Sequence, residues 1–297
     1  MNVVEAYEMF MQEQRYRGNS PYTINYYDSC ILKFINFCGS DLDIEDLDVI
    51  LFKSYQLYLY DNYKINKVSV RTYSRAIKAF YRYLYFENLI DIDINKLQLM
   101  RSDKCVIIPL SDVEVGKLLA VYDNSSFQFC RNRSIIMLML DCGLRLGEIV
   151  NLKIDDVDLI NKFILVNGKG SKQRVVPCGA VLSEQLKIYF DYRNSINSNI
   201  SSLFLTSDFR AVSENTIKML FARIKKKRGF NRVYPHLLRH TFATNFIYRG
   251  GNLEVLRVLM GHANINITQI YIHLAEQKKI INEDYQSNLD FLLKKSE

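Results

Sequence analysis

Helical periodicity in this chain breaks down between residues 90 and 109, where "IDIDINKLQLMRSDKCVIIP" reads as an extended connector. A new helix starts directly after it, because Ser111 and Glu114 in "PLSDVEV" have the spacing of a capping box, each satisfying a backbone group of the other. The chain must therefore build two bodies. The expected division is a helical domain at 1–98, a linker at 99–110 with the boundary near Lys104, and a second domain at 111–297. With 297 residues, 48% of them hydrophobic, the chain has enough apolar material for a core in each.

The first body reads as all helical. A helix is expected at 3–14, and in "NSPYTINYYDSCILKFINFC" Ser20 is positioned as N-cap with Pro21 at the first helical position, where its missing N–H costs nothing. A third helix is expected at 46–63 and a fourth from Ser69. Along the fourth, Arg71, Arg75, Lys78 and Arg82 recur at helical spacing on one face while Tyr73, Ile77, Phe80 and Leu84 follow on another. That leaves two readings: a solvated basic face, or a line of cations laid on the phosphates of a DNA groove.

In the second body, helices are expected at 112–121 and 127–141, the latter ended by Gly143. The pattern then changes to short strands at 154–159, 163–168 and 173–178, joined by turns at "INK" and "KGSK", which predicts a small antiparallel meander. From Ala180 the chain reads as helix again, with Ser213 as a further N-cap. The expected fold class is mainly α with one small antiparallel β-sheet in the C-terminal domain.

Composition narrows the function. The longest apolar runs, such as "IIMLML", are far shorter than the roughly 20 residues of a membrane span, and the N-terminus lacks a signal-peptide pattern. No membrane partner is expected. The six cysteines are scattered without a CxxC pair, so a reducing cytoplasm is the expected compartment. A net charge of +7 favours a polyanionic partner without naming it.

All four histidines, His236, His240, His262 and His273, fall in the last quarter of the chain. The first two, in "HLLRH", have the spacing of a zinc-binding pair, but Leu237 stands where a metalloprotease needs its glutamate base. A phosphate site suits these residues better. Arg239 shares a helix face with His236, and Arg145 in "CGLRLGEIVNL" opens another helix, so two guanidinium forks can hold one phosphate without a metal. Tyr271 is the candidate nucleophile. Its phenol needs a base or a strong positive field to attack at neutral pH. Lys169, in the turn "NGKGSKQ", is the candidate donor of a proton to the leaving alkoxide.

Four segments, "GLRLGEI", "GKGSKQRVVP", "HLLRHTFAT" and "GHANINITQIYIH", resemble in order the signature segments of the tyrosine recombinase, or phage integrase, family, in its Xer-type and simple integrase members. The resemblance is strong from Ser111 to about Ala275 and looser over the N-terminal helices, which are similar to the family's SAM-like core-binding domain.

The resemblance implies that Arg145 and Arg239 hold a scissile phosphate, that Lys169 is the general acid, and that His236 and His262 contact the phosphate and assist proton transfer. Tyr271 matches the nucleophile and Glu148 the acidic brace behind the cluster. Lys172 and Arg174, beside Lys169, are read from their place in the turn as serving phosphate binding rather than proton transfer. Leu237 and Met260 depart from the residues that many relatives carry there. His240 is read as structural, and His273 is given no part in catalysis.

The implied reaction cleaves and rejoins DNA through a 3′-phosphotyrosyl intermediate and a Holliday junction, with no cofactor, metal or ATP. The implied partners are double-stranded DNA bearing an inverted-repeat core site and three further protomers, as a homo-tetramer or a hetero-tetramer with a related recombinase. Both chromosome-dimer resolution and the integration or excision of a mobile element fit this reading. The tail beyond Tyr271 is expected either to pack on its own domain or to dock on a neighbouring protomer. The rival reading is a DNA-binding or architectural protein of the same fold without the chemistry; a type IB topoisomerase relative is a further alternative within the enzyme class.

Overall fold

The computed structural model describes residues 1–102, 107–168, 173–196 and 198–282. These divide into two compact units, Met1–Cys105 and Val106–Glu297. In the first, four helices, α1 (Val3–Tyr16), α2 (Pro21–Cys38), α3 (Val49–Asp61) and α4 (Lys67–Phe86), surround a core in which aromatic rings meet edge to face. Phe10 and Phe80 lie 5.6 Å apart between centroids, and Phe34 and Tyr55 lie 5.1 Å apart. Such pairs add to the burial of their large surfaces.

Helix starts follow local capping. Ser20 caps α2 ahead of Pro21, as expected. α4 begins two residues earlier than predicted because the Asn66 side chain accepts from the Ser69 N–H at 2.8 Å. α3 begins later than predicted, because Asp48 caps it and residues 44–46 form a separate 3-10 turn.

In the second unit, α5 (Asp112–Leu119) and α6 (Phe127–Asp141) precede a short α7 (Leu146–Asn151). Ile135, Ile136, Met137, Leu138 and Met139 are all buried, so the run "IIMLML" belongs to a central helix that is covered on every side. A three-stranded antiparallel sheet of β1 (Val157–Asp158), β2 (Phe163–Asn167) and β3 (Gln173–Pro177) follows in that order. The first strand is shorter than expected: Asp156 accepts from the Lys153 N–H, and residues 154–156 close into a 3-10 turn. Helices α8 (Ala180–Asn194), α9 (Glu214–Arg228), α10 (Pro235–Tyr248), α11 (Leu253–Met260) and α12 (Asn266–Asn282) complete the unit, with α10 packed against α6, α11 and α12.

Candidate active site

The site is built around a buried carboxylate. Glu148 sits in the first turn of α7, where its side chain accepts from the Arg145 backbone N–H at 2.7 Å. The same carboxylate accepts from the Arg145 guanidinium at 2.8 Å, while Arg174 on β3 forks onto both of its oxygens at 2.8 Å each. Arg239 lies 3.9 Å away on its other side. Burial alone would raise this carboxyl, but the hydrogen bonds from Arg174 and the Arg145 backbone and the charges of both arginines outweigh it and hold it at about 2.

Three guanidinium cations around one carboxylate leave positive charge in excess, and only one of them is open to a ligand. The Arg145 side chain is 36% exposed, against 9% for Arg174 and 6% for Arg239. Arg145 is placed by two backbone features: Gly143, at φ +62°, turns the chain after α6, and the carbonyl of Gly261 receives the arginine's second nitrogen at 3.1 Å. It lines an open cleft with Asn151, Asn167, Arg257 and His262.

Arg239 points inward. It donates to the carbonyls of Gly143 and Met260, and its Nη2 lies 3.2 Å from His262 Nε2. Since a guanidinium only donates, Nε2 is an acceptor, so the ring proton sits on Nδ1 and is donated to Thr268 Oγ1 at 2.9 Å. Burial, followed by the charges of Arg239 and Arg145, pushes the His262 imidazole down to about 4 and keeps it neutral near pH 7. Burial and the neighbouring Arg145 likewise lower Arg239, to about 9.

Tyr271 is carried by α12 and is 2% exposed, packed with Ala243, Leu256 and Met260. Burial raises its phenol pKa, while the charges of Arg239 and Arg145 oppose the rise. Its hydroxyl meets His240 Nδ1 at 2.9 Å. Further along α12, Lys278 ties the helix to its own unit, through Asp112 at 3.2 Å and Asn245 at 2.7 Å. The tail beyond Asn282 lies outside the described residues.

The cluster thus brings together Arg145, Glu148, Arg174, Arg239 and His262, with Tyr271 in the electrostatic reach of Arg145 and Arg239. His236 stands exposed on the first turn of α10. Lys169 and Lys172 lie outside the described residues. Two of these side chains have partners that the motifs did not indicate. Arg174, read as a phosphate contact, is instead committed to Glu148 and to the Leu259 carbonyl at 2.7 Å, because it shares the inner face of the sheet with Val176 and, across the ladder, Val166. His240, read as structural, hydrogen-bonds the hydroxyl of the nucleophile candidate. Thr268, fully buried and fixing the His262 tautomer, was missed altogether; only its place between His262 and Tyr271 in the motif signalled it.

On α4 the expected row of four cations divides. Arg71 donates to the Met100 carbonyl and Lys78 to the Leu97 carbonyl, both at 2.7 Å, so these two anchor the segment after the helix. Arg75 and Arg82 are exposed.

Sequence comparison agrees with this fold. The chain belongs to the phage integrase family, the tyrosine recombinases: the family model matches residues 110–278, and the phage integrase SAM-like domain matches residues 2–98. It is 30% identical over 291 residues to the tyrosine recombinase XerC of Bacillus pumilus (strain SAFR-032), with 94% of each chain covered. Among solved structures it resembles XerA recombinase, at 27% identity and TM-score 0.54, over 95% of this chain and 99% of that one. The Tn1549 transposon integrase in complex with transposon right end DNA shares the fold at 18% identity and TM-score 0.76, again over 95% of this chain and 99% of that one. Among the described residues, no helix is long and apolar enough to cross a membrane.

Proposed function

We propose that this chain is a site-specific DNA recombinase that cuts and rejoins strands through a covalent 3′-phosphotyrosyl intermediate. The observation that carries the reading is the arginine cluster on Glu148, whose excess positive charge lies beside a buried phenol. A phosphodiester bound at Arg145 would meet a guanidinium already held in place for the charge of its transition state, with the charge of Arg239 behind it. The Tyr271 phenol gives up its proton to a base and its oxygen bonds to phosphorus, while the bond to the 5′ oxygen breaks and that oxygen leaves as a hydroxyl on taking a proton, for which Lys169 is the assigned donor. A 5′-hydroxyl from a partner duplex reverses the step. The phosphotyrosyl bond retains the energy of the broken one, so neither ATP nor a metal is needed.

The proposed substrate is double-stranded DNA with an inverted-repeat site, bound by four protomers on two duplexes in the cytoplasm. Chromosome-dimer resolution and mobile-element transfer both fit. The test is to incubate the protein with sheared, lightly nicked DNA from its source, stop with detergent, and sequence what stays covalently attached. Enrichment of a short inverted repeat, lost in Tyr271→Phe, supports the reading. DNA binding without any adduct favours an architectural protein.

A further inference from the structure

Strand cleavage needs an acceptor for the Tyr271 phenol proton, and the group in contact with that hydroxyl is His240. Their rings lie 5.5 Å apart between centroids, tilted by 46°, and the phenol oxygen is 2.9 Å from His240 Nδ1. Tyr271 is 2% exposed, so little water reaches the hydroxyl to take its proton. A buried nucleophilic hydroxyl hydrogen-bonded to an imidazole nitrogen has the geometry of a nucleophile and its base.

Resting on the strand-cleavage reading above, we propose that His240 Nδ1 is the base that receives the Tyr271 phenol proton during cleavage and returns it when the strand is rejoined. As the phenol oxygen bonds to phosphorus, its O–H bond breaks and the proton passes to Nδ1, giving an imidazolium. On rejoining, the phosphotyrosyl bond breaks and the departing phenolate recovers that proton, so the residue ends each cycle as it began. His240 and the proton donor then serve opposite oxygens of one in-line displacement, which lets neither group act for the other.

The charged and titratable groups around the pair suit this assignment. On α10 itself these are His236 and Arg239; Tyr271 faces His240 from α12, and His262 and Arg145 lie beyond. Burial, then His236 and Arg239, depress the His240 imidazole and favour its neutral form; a phenol that donates to Nδ1 requires the tautomer with the ring proton on Nε2. Of the two members of "HLLRH" at this spacing, the one facing the nucleophile is the second.

The test uses the full chain and a nicked duplex carrying the site recovered by adduct capture, with single-turnover adduct formation as the readout. His240→Asn keeps an acceptor near Nδ1 that cannot take the proton at neutral pH; His240→Gln serves if that variant does not fold. The expected result is DNA binding unchanged and adduct formation slowed by about 100-fold or more. The variant's rate should climb with pH above neutrality, where the wild type is level, since solvent base replaces the imidazole. A duplex with a bridging sulfur at the 5′ position, whose thiolate leaves without a proton, should not restore the rate. Adduct formation at the wild-type rate, a slower rate with the wild-type pH profile, or rescue by the sulfur substrate would each overturn the assignment. If the wild-type chain forms no adduct, the cleavage reading itself falls; an adduct in the wild type with an unaffected His240→Asn removes only the role of His240.

Discussion

Arg174 and Glu148 are joined by two parallel hydrogen bonds of 2.8 Å beneath the site, and both side chains are almost fully enclosed. The pair fixes the one carboxylate on which Arg145 and Arg239 also depend. Removing Glu148 leaves the buried Arg174 and Arg239 without a counter-charge, which typically costs about 3–5 kcal/mol, whereas removing Arg174 leaves Glu148 still paired with Arg145 and Arg239. Glu148→Ala should therefore lower unfolding stability by that order in urea titrations, and Arg174→Ala by less, since Arg145 still holds the carboxylate. Arg174→Lys, without the planar fork, should lose a large part of what Arg174 contributes.

Acid should weaken the same cluster. The Glu148 carboxyl stands at about 2 in the folded chain against 4.5 in its unperturbed state, so the unfolded chain binds more protons between those values. Its contribution, about 3 kcal/mol, is complete above the unfolded value and disappears as pH falls through the folded one. His262, lowered from 6.5 to about 4, acts in the same direction over its own range. Unfolding curves of the wild type and Glu148→Gln should converge as pH is lowered toward 2.

Gly261 ends α11 at φ +61°, and a Cβ there would stand 3.1 Å from Arg174 Nη1 and 3.4 Å from Arg145 Nη1. Gly261→Ala should cost on the order of 1–3 kcal/mol through backbone strain and should also displace Arg145. Calorimetry measures the first effect, and adduct formation the second. At Gly143 a Cβ would meet the Phe242 ring at 2.3 Å, so Gly143→Ala should be the more damaging of the two.

Arg145 is the exposed member of the arginine cluster, so its loss should affect chemistry more than folding. Arg145→Ala is expected to slow adduct formation by about 100- to 1,000-fold, the range found when one donor to a developing oxyanion is removed. A near-wild-type melting temperature should accompany that loss.

On α4, Arg75→Ala and Arg82→Ala should each reduce the salt dependence of DNA binding by roughly one phosphate's share, a slope change of about 0.9. Arg71→Ala and Lys78→Ala should instead loosen the segment whose carbonyls they hold, at Met100 and Leu97. Binding isotherms at several salt concentrations, together with proteolysis of that segment, separate the two pairs.

These contrasts also show what the sequence could reveal. Helix positions were legible because caps such as Ser20 and Ser111 are local, and Arg145, Arg239 and Tyr271 stood out because each lies in a motif whose chemistry needs that residue type. The partners of side chains were harder to read. Arg174 looked like one more cation beside a turn, yet its two-residue spacing from the buried Val176 already assigned it to the inner face. The role of His240 depended on how α12 packs on α10, a tertiary contact between residues 31 positions apart. Arg71 and Lys78 shared a helical face with Arg75 and Arg82, and only the path of the chain after α4 distinguishes them.

The most direct test of the central claim is to identify the covalent linkage. After reaction with the captured site and nuclease digestion, mass spectrometry of the tryptic peptides should find nucleotide joined through a 3′ phosphate to Tyr271, with a free 5′-hydroxyl on the released strand. A linkage to another residue, a 5′-phosphate attachment, or cleaved DNA with no protein bound to it would contradict the account.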